Sequence, residues 1–230
     1  MNNNLELIQG LIRTMTRRFR EVKFNKILDG KPDIAASRVI RGRAEPLSTS
    51  FENEFGLFLS NLLPLQYSIL VDYPISYMPD KGQRKKTIYP DIVIKKDKTL
   101  TGIIELKIDV GYAEKDWMEK NQKKYKKLRS ISRIDFTKGI IGTPQTEKSQ
   151  LIVDPKFDFS TIILSALNAH KNLNQFENSH HCFILMKNHH PGDHTIKSDK
   201  IEEFYNEVFT DNENLKTWET MIKYFLKHFK

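Results

Sequence analysis

Apolar residues recur every three or four positions in several parts of the chain, which is the spacing of amphipathic helices. One such stripe covers residues 4–24. A second helix is predicted to begin at Ser48 or Ser50, because serine is a favoured residue at a helix N-terminus. Residues 113–130 repeat the pattern, with lysines opposite the apolar stripe, and residues 198–230 are predicted to be helical as well.

Shorter apolar runs bounded by turn residues predict strands. Two strands are predicted within the hairpin 89–110, and three more at 67–78, 159–167 and 181–187. Residues 29–47 and 137–158 are predicted to be connections. The order of elements is helix, helix, three strands, helix, two strands and final helices, which predicts a mixed α/β or α+β domain.

Composition narrows the class of protein. The chain has 230 residues, enough for one domain with a sizeable core. It contains no apolar run of the roughly 20 residues that a membrane span needs, and its N-terminus lacks the order of a signal peptide. Cys182 is the single cysteine, which excludes an internal disulfide framework. We therefore expect a cytoplasmic protein with no membrane partner.

Positive charge is in excess and is clustered. The formal net charge is +8, and basic residues are concentrated at 81–86 and 115–129. Such a field favours partners that carry phosphate groups. A lysine-rich surface exposed to solvent remains the alternative interpretation.

Three charged residues interrupt the apolar strands of the hairpin 89–110, namely Asp91, Glu105 and Lys107. Side chains alternate along a strand, so Glu105 and Lys107 share one face. If the turn centres on Lys98, the numbers of paired residues sum to 196, and Asp91 lies opposite Glu105 with β-carbons about 5 Å apart. Opposed like charges destabilise a sheet unless a cation lies between them.

Two carboxylates in this position predict a site for Mg²⁺, with Mn²⁺ as a substitute, because Mg²⁺ needs only one or two protein carboxylates. Lys107 would direct its ammonium group to the same place, where it could position an attacking water or hold a phosphate oxygen. These groups suit the metal-assisted hydrolysis of a phosphodiester.

The residues Pro90-Asp91 and Glu105-Leu106-Lys107, in their strand–turn–strand setting, resemble the motif of the PD-(D/E)xK nuclease superfamily, which includes most type II restriction endonucleases. The resemblance implies a core of one helix, three antiparallel strands, a second helix and a further strand. Residues 48–187 match that order. It also implies a central mixed β-sheet flanked by helices, in a single nuclease domain of residues 1–230. Residues 1–47 and 198–230 would then add N- and C-terminal helices to the restriction-endonuclease-like core.

The resemblance assigns roles to particular residues. Asp91, Glu105 and Lys107 would be catalytic, and Asp91 and Glu105 would bind the metal. An acidic residue of the first core helix often completes such a site; Glu52 lies nearer the apolar face of that helix than Glu54 does, and both remain candidates.

The helix that follows the motif is rich in lysine, as its counterpart in the superfamily is. Lys123, Lys124 and Lys127 are therefore predicted to contact DNA phosphates, with a solvated helix face as the alternative. Histidines are frequent in residues 180–194, but one cysteine and the missing helix after Pro191-Gly192 argue against a zinc or HNH site, and this segment is predicted to be a polar loop at a strand end.

The expected function is that of a Mg²⁺-dependent endonuclease acting on double-stranded DNA, as a type II restriction enzyme does. Cleavage of both strands implies a homodimer whose two-fold symmetry matches a palindrome. The sequence contains no phosphate-binding glycine loop, so no nucleotide cofactor is expected. Two alternatives remain: a nuclease of repair, recombination or phage defence without strict sequence specificity, and a non-catalytic DNA-binding module with the same fold. RNA also remains open as a substrate.

Overall fold

A computed structural model describes residues 2–24, 27–28, 31–32, 47–78, 84–110, 116–139, 146–168, 181–193 and 196–230. These residues form five α-helices: α1 (Asn2–Phe24), α2 (Leu47–Leu62), α3 (Trp117–Arg129), α4 (Ile201–Thr210) and α5 (Asn212–His228). They also form ten strands: β1 (Ile27–Leu28), β2 (Lys31–Pro32), β3 (Tyr67–Val71), β4 (Ile75–Tyr77), β5 (Lys86–Ile88), β6 (Ile92–Lys96), β7 (Thr99–Asp109), β8 (Arg133–Gly139), β9 (Thr146–Ser165) and β10 (Cys182–Met186). Within these ranges, none of the helices has the length and apolar character that a bilayer span requires.

Eight of the described strands form one mixed sheet. β3, β6 and β7 are antiparallel neighbours, and β7 runs parallel to the second half of β9, which in turn runs parallel to β10. The first part of β9 pairs with β8 in the antiparallel direction, and β4 and β5 continue the sheet beyond β8. The predicted mixed α/β architecture, a central mixed sheet flanked by helices, is confirmed.

Helices from both ends of the chain pack against one face of this sheet. One hydrophobic cluster joins α1, α2 and α5 to strands β6, β7, β9 and β10; its fully buried members include Met15, Phe55, Ile104, Leu185 and Trp218. The indole nitrogen of Trp218 also donates a hydrogen bond to the carbonyl of Leu185 at 2.8 Å. The terminal helices therefore belong to the main hydrophobic core.

The opposite face of the sheet is covered by α3. Tyr125 and Leu128 of this helix pack with Val93 and Ile103 in a second hydrophobic cluster. Because side chains alternate along β7, the neighbours of Ile103 on this face are Glu105 and Lys107, whereas Ile104 and Leu106 face the first cluster. The face covered by α3 is therefore the one that carries the charged residues of the hairpin.

Two predictions about strands are wrong. Residues 67–78 do not form one strand: β3 ends at Val71, Asp72 has a left-handed φ of 48°, and β4 lies on the far side of β8. Residues 137–158 were expected to be a connection, but their described part belongs to β8 and β9. The backbone N–H and C=O groups of this polar stretch are hydrogen-bonded between β8 and β9. A local apolar pattern does not reveal such pairing.

Some predictions fall partly outside the described residues. Of the predicted connection 29–47, the structure describes only the short strand β2 and Leu47, the first residue of α2, since residues 29–30 and 33–46 are not described. The first residues of the predicted helix 113–130 and most of the segment between β9 and β10 also lie outside the described ranges.

Candidate active site

The hairpin of β6 and β7 brings Asp91 level with Glu105. Three residue pairs have numbers that sum to 196, as the sequence predicts: Ile92–Ile104, Val93–Ile103 and Ile94–Gly102. One position further, the same register places Asp91 beside Glu105. The predicted turn centre at Lys98 is wrong, because the pairs beside the turn, Lys95–Leu100 and Lys96–Thr99, have numbers that sum to 195. A register shift after Ile94 restores the predicted pairing toward the two carboxylates.

Backbone hydrogen bonds hold Asp91 where β6 begins. Its Oδ2 accepts a hydrogen bond from the backbone N–H of Leu106 at 2.6 Å. Its carbonyl accepts a second bond from the backbone N–H of Asp72 at 2.8 Å. The side chain of Asp91 is thus anchored to the strand that carries Glu105, and its main chain is anchored to the end of β3.

The pKa of Asp91 is raised from 3.8 to about 7, chiefly because the side chain is buried. The negative charges of Glu105 and Glu52 raise it further, whereas the N–H of Leu106 and the ammonium of Lys107 lower it. The neighbouring carboxylates thus add to the effect of burial, and the two positive influences do not reverse the shift. A cation between Asp91 and Glu105 would relieve this repulsion.

Glu105 is held from the side of α3. Its side chain is buried, with 8% of the residue exposed, and its Oε1 accepts a hydrogen bond from the hydroxyl of Tyr125. The Nζ of Lys124 lies 3.4 Å from the same oxygen. Burial and the charge of Glu105 raise the pKa of Tyr125, so its hydroxyl stays protonated and donates. The ring of Tyr125 stacks on Phe159, with centroids 4.3 Å apart, which fixes the donor in place.

Glu52 joins the carboxylates from α2. Its pKa is raised by burial, by Asp72 and by Glu105, and its own charge raises the pKa of Asp91. Glu52 and the hairpin carboxylates therefore influence one another electrostatically, but the three described side chains are not arranged as a three-carboxylate metal site. No described contact links Glu54 to them.

Asp72 is the acidic residue that sequence reasoning missed. It follows β3 directly, donates its N–H to the carbonyl of Asp91 and raises the pKa of Glu52. The signal in the sequence is modest: an acidic residue interrupts the apolar run of residues 67–78, just as Asp91 opens the next one.

The lysines predicted to act at the site occupy different positions. The Nζ of Lys107 lies 4.7 Å from the ring centroid of Trp117, the first residue of α3, and its charge lowers the pKa of Asp91. Lys124 contacts Glu105, whereas Lys123 pairs with Glu119 at 2.6 Å on the outer surface of the helix. Lys127 is exposed. Lys123 and Lys127 are one helical turn apart on the exposed face, and Lys124 lies beside them toward the sheet; that these lysines contact DNA stays a prediction.

The described histidines do not assemble a metal centre, and two carboxylates of the hairpin are the candidates for a Mg²⁺ site. Among the residues that the structure describes, no group of three or more His, Cys, Asp and Glu side chains is arranged to hold a metal ion. Asp91 and Glu105 still supply the one or two carboxylates that Mg²⁺ uses, and its other ligands are water and phosphate oxygens. In the histidine-rich segment, His181 is hydrogen-bonded to Asp158 at 2.8 Å, and burial raises the pKa of Cys182 to about 12, which disfavours a thiolate ligand. His180 and His194 lie outside the described residues.

No protein-family model, curated protein or solved structure matches this chain. Its function is therefore inferred from the carboxylate cluster and from the elements that carry it.

Proposed function

We propose that this protein is a Mg²⁺-dependent endonuclease that hydrolyses phosphodiester bonds of double-stranded DNA, as a type II restriction enzyme of the PD-(D/E)xK superfamily does. The observation that carries the proposal is the pair Asp91 and Glu105, level on adjacent strands, with a pKa of about 7 for Asp91. Lys124 pairs with Glu105 at 3.4 Å, but Asp91 lies beside Glu105, whose negative charge raises the pKa of Asp91. Two carboxylates that repel each other in a partly buried position suit a cation site.

The order of elements around the pair supports the same class. α2, then the antiparallel strands β3, β6 and β7, then α3 and the parallel strand β9 follow one another as in the superfamily core. β4 and β5 lie between β3 and β6 in the sequence, and β8 precedes β9. These three strands extend the sheet on its far side and leave the hairpin undisturbed.

Asp91 and Glu105 would hold the metal, with Glu52 as a third acid. A bound Mg²⁺ would lower the pKa of a water molecule and neutralise charge on the phosphate. The N–H of Leu106 and the hydroxyl of Tyr125 donate to the two carboxylates and so orient them before a metal would bind.

Lys107 would position the attacking water. The oxygen of that water bonds to phosphorus while one ester P–O bond breaks; the water gives up one proton to solvent, and the released oxygen takes up one proton from solvent to become a hydroxyl group. The net charge of +8 would attract the DNA backbone. Cutting both strands with one site per chain calls for two copies related by a two-fold axis.

The decisive experiment is digestion of plasmid DNA of known sequence, with added Mg²⁺ and in parallel with EDTA. Asp91→Asn and Glu105→Gln should abolish cleavage while duplex binding in EDTA persists, and Lys107→Ala should lose activity but still bind metal. If either carboxylate variant cuts at the parental rate, the assignment of ligands is wrong.

The cleavage pattern distinguishes the classes of protein. Discrete bands favour a restriction enzyme, and smears favour a nuclease without strict specificity. Binding that ignores Mg²⁺, without cleavage of DNA or RNA, would identify a non-catalytic module.

A further inference from the structure

One lysine of α3 differs from its neighbours in what it contacts. Lys120 and Lys123 form ion pairs with Asp116 and Glu119 of their own helical segment, and their side chains are 60% and 75% exposed. Lys124 is only 30% exposed, and its partner Glu105 belongs to the central strand β7. Among these three lysines of α3, Lys124 is therefore the one whose ammonium group contacts a carboxylate of the hairpin.

The position of this ammonium group is constrained on two sides. The next residue, Tyr125, is buried and stacked on Phe159, which fixes the helix against the sheet at this point. The Nζ of Lys124 lies 4.5 Å from the ring centroid of Tyr125, within the range of a cation–π contact. On the other side it lies 3.4 Å from Oε1 of Glu105. A surface lysine with a solvated head would show neither contact.

Lys107 approaches the same carboxylates from another direction. It lies on β7 itself, and its ammonium group lies over the ring of Trp117 at the beginning of α3. Lys107 acts on Asp91, and Lys124 contacts Glu105. The two carboxylates of the site thus each have a lysine near them, one from the strand and one from the helix.

We infer that Lys124 is a second catalytic lysine, whose ammonium group contacts a non-bridging oxygen of the scissile phosphate when that phosphate lies against Asp91 and Glu105. The inference rests on the proposed nuclease function. It involves no proton transfer: a fixed positive charge stabilises the negative charge that builds on the phosphate during hydrolysis. This role differs from that of a lysine that only attracts the DNA backbone.

The test compares Lys124→Met with Lys124→Arg and with Lys120→Met, a control that removes the same charge from the same helix. Cleavage is measured in single turnovers with saturating protein, and Mn²⁺ binding is measured separately by electron paramagnetic resonance of the free ion. Lys124→Met should cleave about 100-fold more slowly than the parent, and Lys124→Arg should recover part of the rate. Lys120→Met should stay within about threefold of the parental rate, because it removes a charge but no contact with the transition state.

Metal binding separates a catalytic role from a supporting one. Removal of a positive charge beside Glu105 should leave Mn²⁺ affinity unchanged, or tighten it by up to about tenfold at low ionic strength. If Lys124→Met loses Mn²⁺ binding together with cleavage, Lys124 merely supports Glu105 and the inference is overturned. A cleavage rate equal to that of Lys120→Met would overturn it as well.

The parental protein distinguishes failure of the inference from failure of the proposed function. If the parent cleaves with Mg²⁺ but Lys124→Met is unimpaired, only the role of Lys124 is wrong. If the parent neither cleaves nor binds Mn²⁺, the nuclease proposal fails, and the inference fails with it. Should the methionine variant not fold, as judged by circular dichroism, Lys124→Gln and Lys124→Arg decide the question by the same two measurements.

Discussion

The carboxylate of Asp91 should destabilise the metal-free protein at neutral and alkaline pH. Its pKa is raised from 3.8 to about 7, so between these values the folded protein holds the proton more tightly than the unfolded chain does. The contribution of Asp91 to the free energy of unfolding should then be most favourable below about pH 4, and should be lost as the pH rises through about 7. Asp91→Asn removes the charge, and the amide oxygen can still accept the hydrogen bond from Leu106.

The size of the effect follows from the shift in pKa. A difference of one in pKa corresponds to about 1.4 kcal/mol, so ionising Asp91 in the folded state costs at most about 4 kcal/mol. Solvent screens a side chain that is only partly buried, which lowers the expected value to about 2 kcal/mol. For a chain of this length, a gain of that size should raise the Tm of Asp91→Asn by about 4 to 8 °C at pH 8.

Thermal and urea unfolding at pH 8 and pH 4 in EDTA would measure this gain. Asp97→Asn, in the exposed turn between β6 and β7, makes the same chemical change and should shift stability by less than about 0.5 kcal/mol. Millimolar Mg²⁺ should stabilise the parent but not Asp91→Asn, since only the parent keeps both carboxylates. If Asp91→Asn is less stable than the parent at pH 8, or if its advantage persists unchanged at pH 4, the inferred cost of ionising Asp91 in the folded protein does not exist.

Two further predictions concern the same pair of carboxylates. Because the metal binds the ionised form of Asp91, Mg²⁺ affinity should fall about tenfold for each pH unit below about 7, and titration calorimetry at pH 6, 7 and 8 would detect this; a flat profile would contradict it. Tyr125→Phe removes the hydroxyl that donates to Glu105, and should weaken both cleavage and Mn²⁺ affinity about 10- to 100-fold while lowering stability by about 1 to 3 kcal/mol. Parental Mn²⁺ affinity in that variant would show that Glu105 keeps its orientation without the tyrosine.

Only part of the hairpin geometry follows from local rules. Alternation along β7 decided that Glu105 and Lys107 share a face. The two-residue turn alone would give pairs whose numbers sum to 195 and would place Asp91 opposite Ile104. The bulge after Ile94, which was not predicted, shifts the register by one residue and brings Asp91 level with Glu105. The shared face was therefore predictable from the sequence, whereas the level pairing depends on the bulge.

Other features depend on partners that are distant in the sequence. Asp72 joins the site because β3 pairs with β6 and the chain turns away from the sheet at Asp72. The apolar pattern of residues 67–78 predicts one continuous strand, because nothing in that pattern marks the turn. The polar residues of β8 and β9 form strands because each satisfies the other's backbone. An apolar pattern cannot report such pairing, since hydrogen bonds between strands do not depend on side-chain type.

The sequence by itself determined the class of fold, the helices and the shared face of the charged hairpin residues, because these follow from periodicity over a few residues. Only the tertiary structure decided which lysine of α3 reaches Glu105 and that Tyr125 orients it. Helical spacing shows that a face is basic, but the rotation and position of the helix on the sheet select the contact. That choice is made by the burial of Tyr125 and Leu128 against strands far away in the sequence.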